Sequence, residues 1–169
     1  MIQPATLEHL ASIMEIIQLT IAEMRSYNNT QWDNTYPTAK DFIEDIQNGD
    51  LFVDISDADA QLRGLICVNT LEPDEYAGLP WSTAGVAYVV HRMAVHPAYR
   101  RQGVGGGLLE FAQALAARNQ IYYLKTDTYS INTKMNALFQ KFGFSFVSEM
   151  AYRDKELPFY CYEKFSESR

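Results

Sequence analysis

Basic residues are in short supply in this sequence, and their scarcity excludes a first class of function. Lys and Arg number 14 against 21 Asp and Glu, a formal charge of −7, whereas binding nucleic acid through its phosphates needs a basic face. An acidic balance suits ordinary solubility, or a cationic partner such as an amine. Cysteine is scarce too. Cys67 and Cys161 each sit in an apolar, strand-like run (GLICVNT and PFYCYEKF), with no CxxC or Cys/His cluster beside them. A disulfide scaffold and a zinc site are therefore not expected, and buried free thiols in a reducing compartment are. No uninterrupted apolar run reaches the roughly 18 residues of a membrane span. The opening MIQPATLEHL has no basic segment followed by a long apolar core, so no signal peptide is read there. Repeats, low-complexity tracts and linkers are missing as well. The expectation is a cytoplasmic domain with no metal, nucleic-acid or membrane partner.

What is present suffices for one domain over residues 1–169, with 47% apolar residues to build a core. Thr6 is placed to cap a first helix, on which Leu7, Leu10, Met14, Ile17, Ile21 and Met24 form an apolar stripe. A polar loop carrying Trp32 and Tyr36 leads to a second helix, capped by Thr38 and stopped by Gly49. Strands follow at about 51–56, 62–71 and 86–95, the first two joined as a hairpin across DADAQ. Pro97 ends the third, having no N–H for a ladder. A helix is predicted from Gly103 to Asn119, a strand over IYYLKTDT, a helix from Asn132 to Phe142, and strands over 144–152 and 159–165. Hairpins mixed with a strand–helix–strand crossover predict one mixed sheet covered by helices.

The stretch HPAYRRQGVGGGLLEF concentrates four of the nine glycines between Gly103 and Gly107. They fall where a strand has ended and a helix begins, directly after Arg100 and Arg101. A helix N-terminus offers backbone N–H donors and the positive end of a dipole. Glycine there allows close approach of a phosphate, and arginine adds bidentate donors. The competing reading is a glycine turn packed on a neighbouring strand, with the arginines solvated. A P-loop is excluded because no Lys-Ser or Lys-Thr follows, and G-x-G-x-x-G fails from both Gly103 and Gly105. R-x-x-G-x-G does fit, as Arg100, Gly103 and Gly105.

With that motif after a strand ending MAVHP, HRMAVHPAYRRQGVGGGLL resembles the coenzyme A segment of the GNAT superfamily of acyl-CoA-dependent N-acetyltransferases. NTKMNALFQKFGF is similar to the family's N-x-x-A-x-x-L-Y-x-x-x-G-F helix, with Asn132, Leu138, Gly143 and Phe144 in place. The resemblance covers essentially the whole chain. It implies an α/β fold with a single central, mixed but mostly antiparallel sheet of about six to seven strands and about four helices. In that fold the fourth and fifth strands splay apart. It also implies acetyl-CoA as cofactor and an amine as acceptor, with transfer by direct attack in a ternary complex.

By that resemblance, backbone groups of Met93, Ala94 and Val95 bind the pantetheine arm, and Asn132 reaches it from the next strand's exit. Arg101, Gln102, Gly103, Val104, Gly105 and Gly106 supply pyrophosphate amides, while Arg100 either meets the phosphates or braces the loop. Asn132 equally fits a plain helix cap. Asp127 stands where one branch of the family carries a glutamate base. His91 shares a strand face with Met93 and Val95 and is the second candidate base, and Glu72, Asp74 and Glu75 are candidates acting through water. Trp32 and Tyr36 are expected in the acceptor wall, with Trp81 and Tyr76 on the facing loop, although stapling of loops to the core explains these aromatics as well. The sequence departs from the family at Phe139, where the acid tyrosine would stand. Tyr129, Ser130 and Tyr160 are the alternative acids, and a thiolate can also leave unassisted. Phe139 also sustains a second reading, an acyl-CoA-binding sensor that has lost chemistry; a third is a nucleotide-binding or structural module with a coincidental glycine turn. Phe159, Tyr160 and Tyr162 suggest an apolar sheet edge that could build a homodimer.

Overall fold

The computed structural model describes residues 1–166. Its elements in chain order are β1 (Ile2–Pro4), α1 (Leu10–Ser26), α2 (Ala39–Asn48), β2 (Leu51–Ile55), β3 (Leu62–Asn69), β4 (Tyr88–Val95), α3 (Val104–Arg118), β5 (Tyr123–Tyr129), α4 (Thr133–Lys141), β6 (Ser145–Met150) and β7 (Phe159–Phe165). The seven strands form one sheet in the order β1-β2-β3-β4-β5-β7-β6. The β1–β2, β2–β3, β5–β7 and β6–β7 pairs are antiparallel, and β4–β5 is parallel. The parallel register joins Tyr88, Val89 and Val90 to Leu124, Lys125 and Thr126, and includes none of the residues from His91 to Val95. This is the splayed pair that the sequence led us to expect.

The chain resolves into two compact units. The first comprises Met1–Val68 and His91–Phe111; the second comprises Asn69–Val90 and the stretch from Ala112 onward. In the first unit, Ile13, Ile16, Ile17 and Ile21 of α1 bury against Phe42 of α2, Leu51 and Val53 of β2, and Leu62, Leu65 and Cys67 of β3. Each such side chain contributes about 1.5–3 kcal/mol. The buried stripe of α1 is Ile13, Ile16, Ile17, Thr20, Ile21 and Met24. Of the expected stripe, Ile17, Ile21 and Met24 belong to it and Leu10 and Met14 pack partly buried against the same core, while Leu7 is 55% exposed. The reason lies in the helix start. Residues Leu7–His9 form a separate 3-10 turn, so Leu7 precedes α1 and does not share its buried face. β1, too short to show a period, was not expected; it pairs with β2 through Ile2↔Asp54 and Pro4↔Phe52. At α2 the sequence reading holds, with Thr38 and Asp41 closing a capping box and Gly49 left-handed at φ 76°.

In the second unit, β7 pairs along its length with β5 on one side and with β6 on the other. This corrects the expectation of an apolar edge at Phe159, Tyr160 and Tyr162. Their strand is interior, Phe159 and Tyr162 are buried, and the outer strand at that end of the sheet is β6. Cys67 and Cys161 are free and buried, as the sequence suggested.

Candidate active site

The candidate residues fall into two sets, one in the first unit and one in the second. In the first unit, β4 ends at Val95 and His96 caps a 3-10 turn over Pro97–Tyr99, accepting the Ala98 N–H on Nδ1 at 3.1 Å. Arg101 and Gly103 then take left-handed backbone conformations at φ 60° and 82°, which turn the chain into α3. The first helical bond runs from the Gly107 N–H to the Gly103 carbonyl at 2.9 Å. The N–H groups of Val104, Gly105 and Gly106 therefore precede the helical ladder and stand at its positive end. A Cβ added at Gly103 would meet nothing within 4 Å, so open space lies beside the turn. Donors, dipole and space together suit a pyrophosphate.

Arg100 makes the contacts expected of a residue that braces the loop. Its guanidinium pairs with Glu23 of α1 and its Nε donates to the Val95 carbonyl at 3.3 Å, so it braces the turn. Arg101 and Gln102 are exposed, and the Gln102 amide donates to the Ala98 carbonyl. Sequence reasoning missed Gly64 on β3. A Cβ there would lie 3.0 Å from the Ala94 carbonyl oxygen and 3.1 Å from Val104 and Leu108 side-chain carbons. The start of α3 is thus pressed onto β3 at a residue without a side chain, and an isolated glycine inside a strand is the signal that marks such an approach.

Along β4, Met93 and Ala94 are buried while His91 and Val95 are half-buried. Arg92 makes a bidentate pair with Asp45 of α2, at 2.8 Å from Nε and 2.5 Å from Nη2, and donates from Nη1 to the Tyr36 hydroxyl at 2.8 Å. Burial alone would pull the guanidinium down, but Asp45 and Tyr36 more than offset it, and Arg92 is held above its ordinary value. Tyr36 is thus anchored on a buried ion pair. Trp32, expected in the same wall, is 6% exposed and belongs to the core of the first unit.

In the second unit, Asp127 sits half-buried on β5. The Tyr76 hydroxyl, on a short turn at Asp74–Tyr76, donates to its Oδ2 at 2.6 Å. Desolvation raises the carboxyl from 3.8 to about 6, opposed by that hydrogen bond and by the charge of Arg153. The same strand face carries Lys125, whose ammonium pairs with Glu72 at 2.7 Å and lies 4.6 Å from the Trp81 ring centre. Glu163 of β7 accepts from the Ser82 hydroxyl and N–H and from the Tyr123 hydroxyl.

Asn132 caps α4, its side chain accepting the Met135 N–H at 3.3 Å. Phe139 is buried between Phe144 and Tyr162. Of the substitute acids, Tyr129 is buried with its hydroxyl accepting the Leu157 N–H, while Ser130 and Tyr160 are half-buried. Among the described residues, no group of three or more His, Cys, Asp or Glu is placed to hold a metal, and no helix is long and apolar enough to cross a membrane.

A strand that leaves its parallel partner and a glycine turn opening a helix define a class of protein, the acyltransferases of the GNAT type. The profile of the acetyltransferase (GNAT) domain matches residues 49–146, and the chain belongs to that family. Solved structures agree in fold. A GNAT-family acetyltransferase from Streptococcus agalactiae superposes with a TM-score of 0.83 at 24% identity, covering 99% of this chain and 95% of its own. A putative acetyltransferase from Staphylococcus aureus gives 0.77 at 24% identity over 98% of each chain. A ribosomal-protein-alanine N-acetyltransferase from Brucella melitensis gives 0.72 at 16% identity, over 98% of this chain and 99% of its own. No curated protein matches the chain significantly.

Proposed function

We propose that this acetyltransferase moves an acetyl group from acetyl-CoA to a primary amine of a small molecule or peptide, by direct attack in a ternary complex. The single observation that carries the reading is the turn at 100–106, which sets left-handed Arg101 and Gly103 before the open N-terminus of α3. Its backbone N–H groups, from Arg101 to Gly106, would hold the pyrophosphate. The end of the β4–β5 register at Val90 supports a pantetheine arm bonded to the backbone of Met93, Ala94 and Val95. Asn132 would assist once its capping bond allows. When bound, acetyl-CoA supplies a thioester carbonyl activated towards amines.

The remaining chemistry falls to the chain. An N–H of the Met93–Val95 strand stabilises the oxyanion. Asp127 takes the proton that the amine nitrogen must lose as its C–N bond forms, with His91 as the second candidate. As the C–S bond breaks, the thiolate takes up a proton from solvent or from Ser130 or Tyr160, since Phe139 has none to give. Tyr36, with Trp32 behind it, lines the acceptor side. We place the enzyme in the cytoplasm, where the free thiols of Cys67 and Cys161 stay reduced.

Calorimetric titration with acetyl-CoA, using ATP and NAD as controls, tests the cofactor half. Selective binding that Gly105→Glu abolishes is expected; binding no tighter than ATP overturns the assignment. Thiol release from acetyl-CoA across a panel of primary amines tests the other half. Binding without release would mark an acyl-CoA sensor instead. With an accepted amine, kcat/KM should rise through an acidic limb near pH 6, the value at which Asp127 ionises. Asp127→Asn should abolish that limb and lower kcat by about 100-fold.

A further inference from the structure

We propose that Tyr76 is the positioning residue of Asp127: its hydroxyl fixes one carboxylate oxygen and leaves the other aimed at the proton to be removed. The inference rests on the assignment of Asp127 as base and adds a residue that the family motifs do not contain. Tyr76 is fully enclosed, packed among Val89, Tyr129, Met150, Phe159 and Cys161. Its ring lies 4.8 Å from that of Trp81, whose indole N–H donates to the Tyr76 carbonyl at 2.9 Å. Ring and backbone are therefore both held, and the hydroxyl meets Asp127 Oδ2 at 2.6 Å. Among the described residues, Asp127 Oδ1 receives no such donor.

A purely structural tie would make the same bond, so the surroundings decide between the two roles. The loop that carries Tyr76 is already pinned to the sheet by Glu72 on Lys125, by Ser82 on Glu163, and by the packing of Trp81. Docking it needs no fourth bond from a phenol. What the phenol adds is a fixed orientation for a carboxylate that burial would otherwise keep protonated further up the pH scale. The other groups facing Asp127 are Glu75 beside Tyr76, Arg153 after β6, and the Cys161 thiol opposite it on β7. Arg153 favours the carboxylate and Glu75 opposes it, while the thiol stays protonated, pushed up to about 12 by burial. Tyr76 is the group that hydrogen-bonds the ionised form.

The test follows the Asp127 side-chain carboxyl by NMR in protein made with carbon-13 aspartate, comparing the native chain with Tyr76→Phe. Loss of a donor to a charged group should move the Asp127 titration upward by about 1–2 pH units. Replacing Tyr76 by 3-fluorotyrosine, which has a more acidic hydroxyl and nearly the same size, should move it downward. This second variant decides the matter if Tyr76→Phe does not fold. An Asp127 titration that neither variant moves overturns the proposal, whatever becomes of the base assignment. The kinetic arm separates the two claims. In Tyr76→Phe the acidic limb of kcat/KM should rise with the NMR value, with the affinity for acetyl-CoA unchanged. If the NMR titration moves but Asp127→Asn keeps the full acidic limb, the hydrogen bond stands, the base assignment fails, and the positioning role is overturned with it.

Discussion

Burial of Asp127 costs the fold stability. Its folded-state value of about 6 lies above the ordinary 3.8, so the folded chain keeps a proton that the unfolded chain has already released. Stability from this group therefore falls as pH rises from about 4 to about 6, by up to roughly 3 kcal/mol. Asp127→Asn removes the penalty, because an amide of the same shape still accepts from Tyr76. Urea unfolding should show the variant gaining on the native chain between pH 4 and pH 8 by up to that amount; a constant difference would contradict the raised value. The glycines of the turn differ among themselves in a way that adjacency hides. Gly103 is left-handed, whereas Gly107 lies inside α3 with open space where a Cβ would go. Gly107→Ala should raise stability by about 0.5–1 kcal/mol and leave acetyl-CoA binding intact. Gly103→Ala should lower stability by about 1–2 kcal/mol. In the sequence these residues form one cluster, because adjacency says nothing about φ.

Between elements of the first unit, the Arg92–Asp45 pair joins β4 to α2. Both side chains are largely buried, so removing one partner strands the other's charge. Asp45→Ala should cost about 3–5 kcal/mol in urea unfolding, and Tyr36 should lose its anchor with it. The sequence concealed this pair, since Arg92 and Asp45 are far apart in the chain and each looks like an ordinary surface charge. Trp32 was open to two readings, a ligand wall or a staple of its polar loop onto the core, and its indole packs in the core. The 3-10 entry to α1 removes Leu7 from a stripe that otherwise keeps its period. By contrast, the Thr38 cap, the Gly49 stop and the R-x-x-G-x-G turn were legible, because each rests on neighbours within a few residues.

At the scale of the whole molecule, the family profile spans 49–146, but the fold does not close within those bounds. The segment lacks α1, whose isoleucines fill the core of the first unit. It also lacks β7, the strand between β5 and β6. A fragment of residues 49–146 should therefore show no cooperative thermal transition by circular dichroism, whereas the full chain should; a cooperative fragment would contradict the packing described. Strand order is the part of this fold that local sequence does not encode. Both C-terminal strands were found from their own patterns, yet which of them lies inside depends on partners distant in the chain.

The interior place of β7 also bears on biosynthesis. During translation β5 leaves the ribosome well ahead of Phe159–Phe165, an interval on the order of seconds at ordinary elongation rates. Throughout it, the edge of β5 that β7 will cover stands open, and β6 arrives before the strand it must flank. The nascent second unit therefore carries an unpaired strand edge that invites association with other chains. Its sheet can close only after the last of its strands has been made.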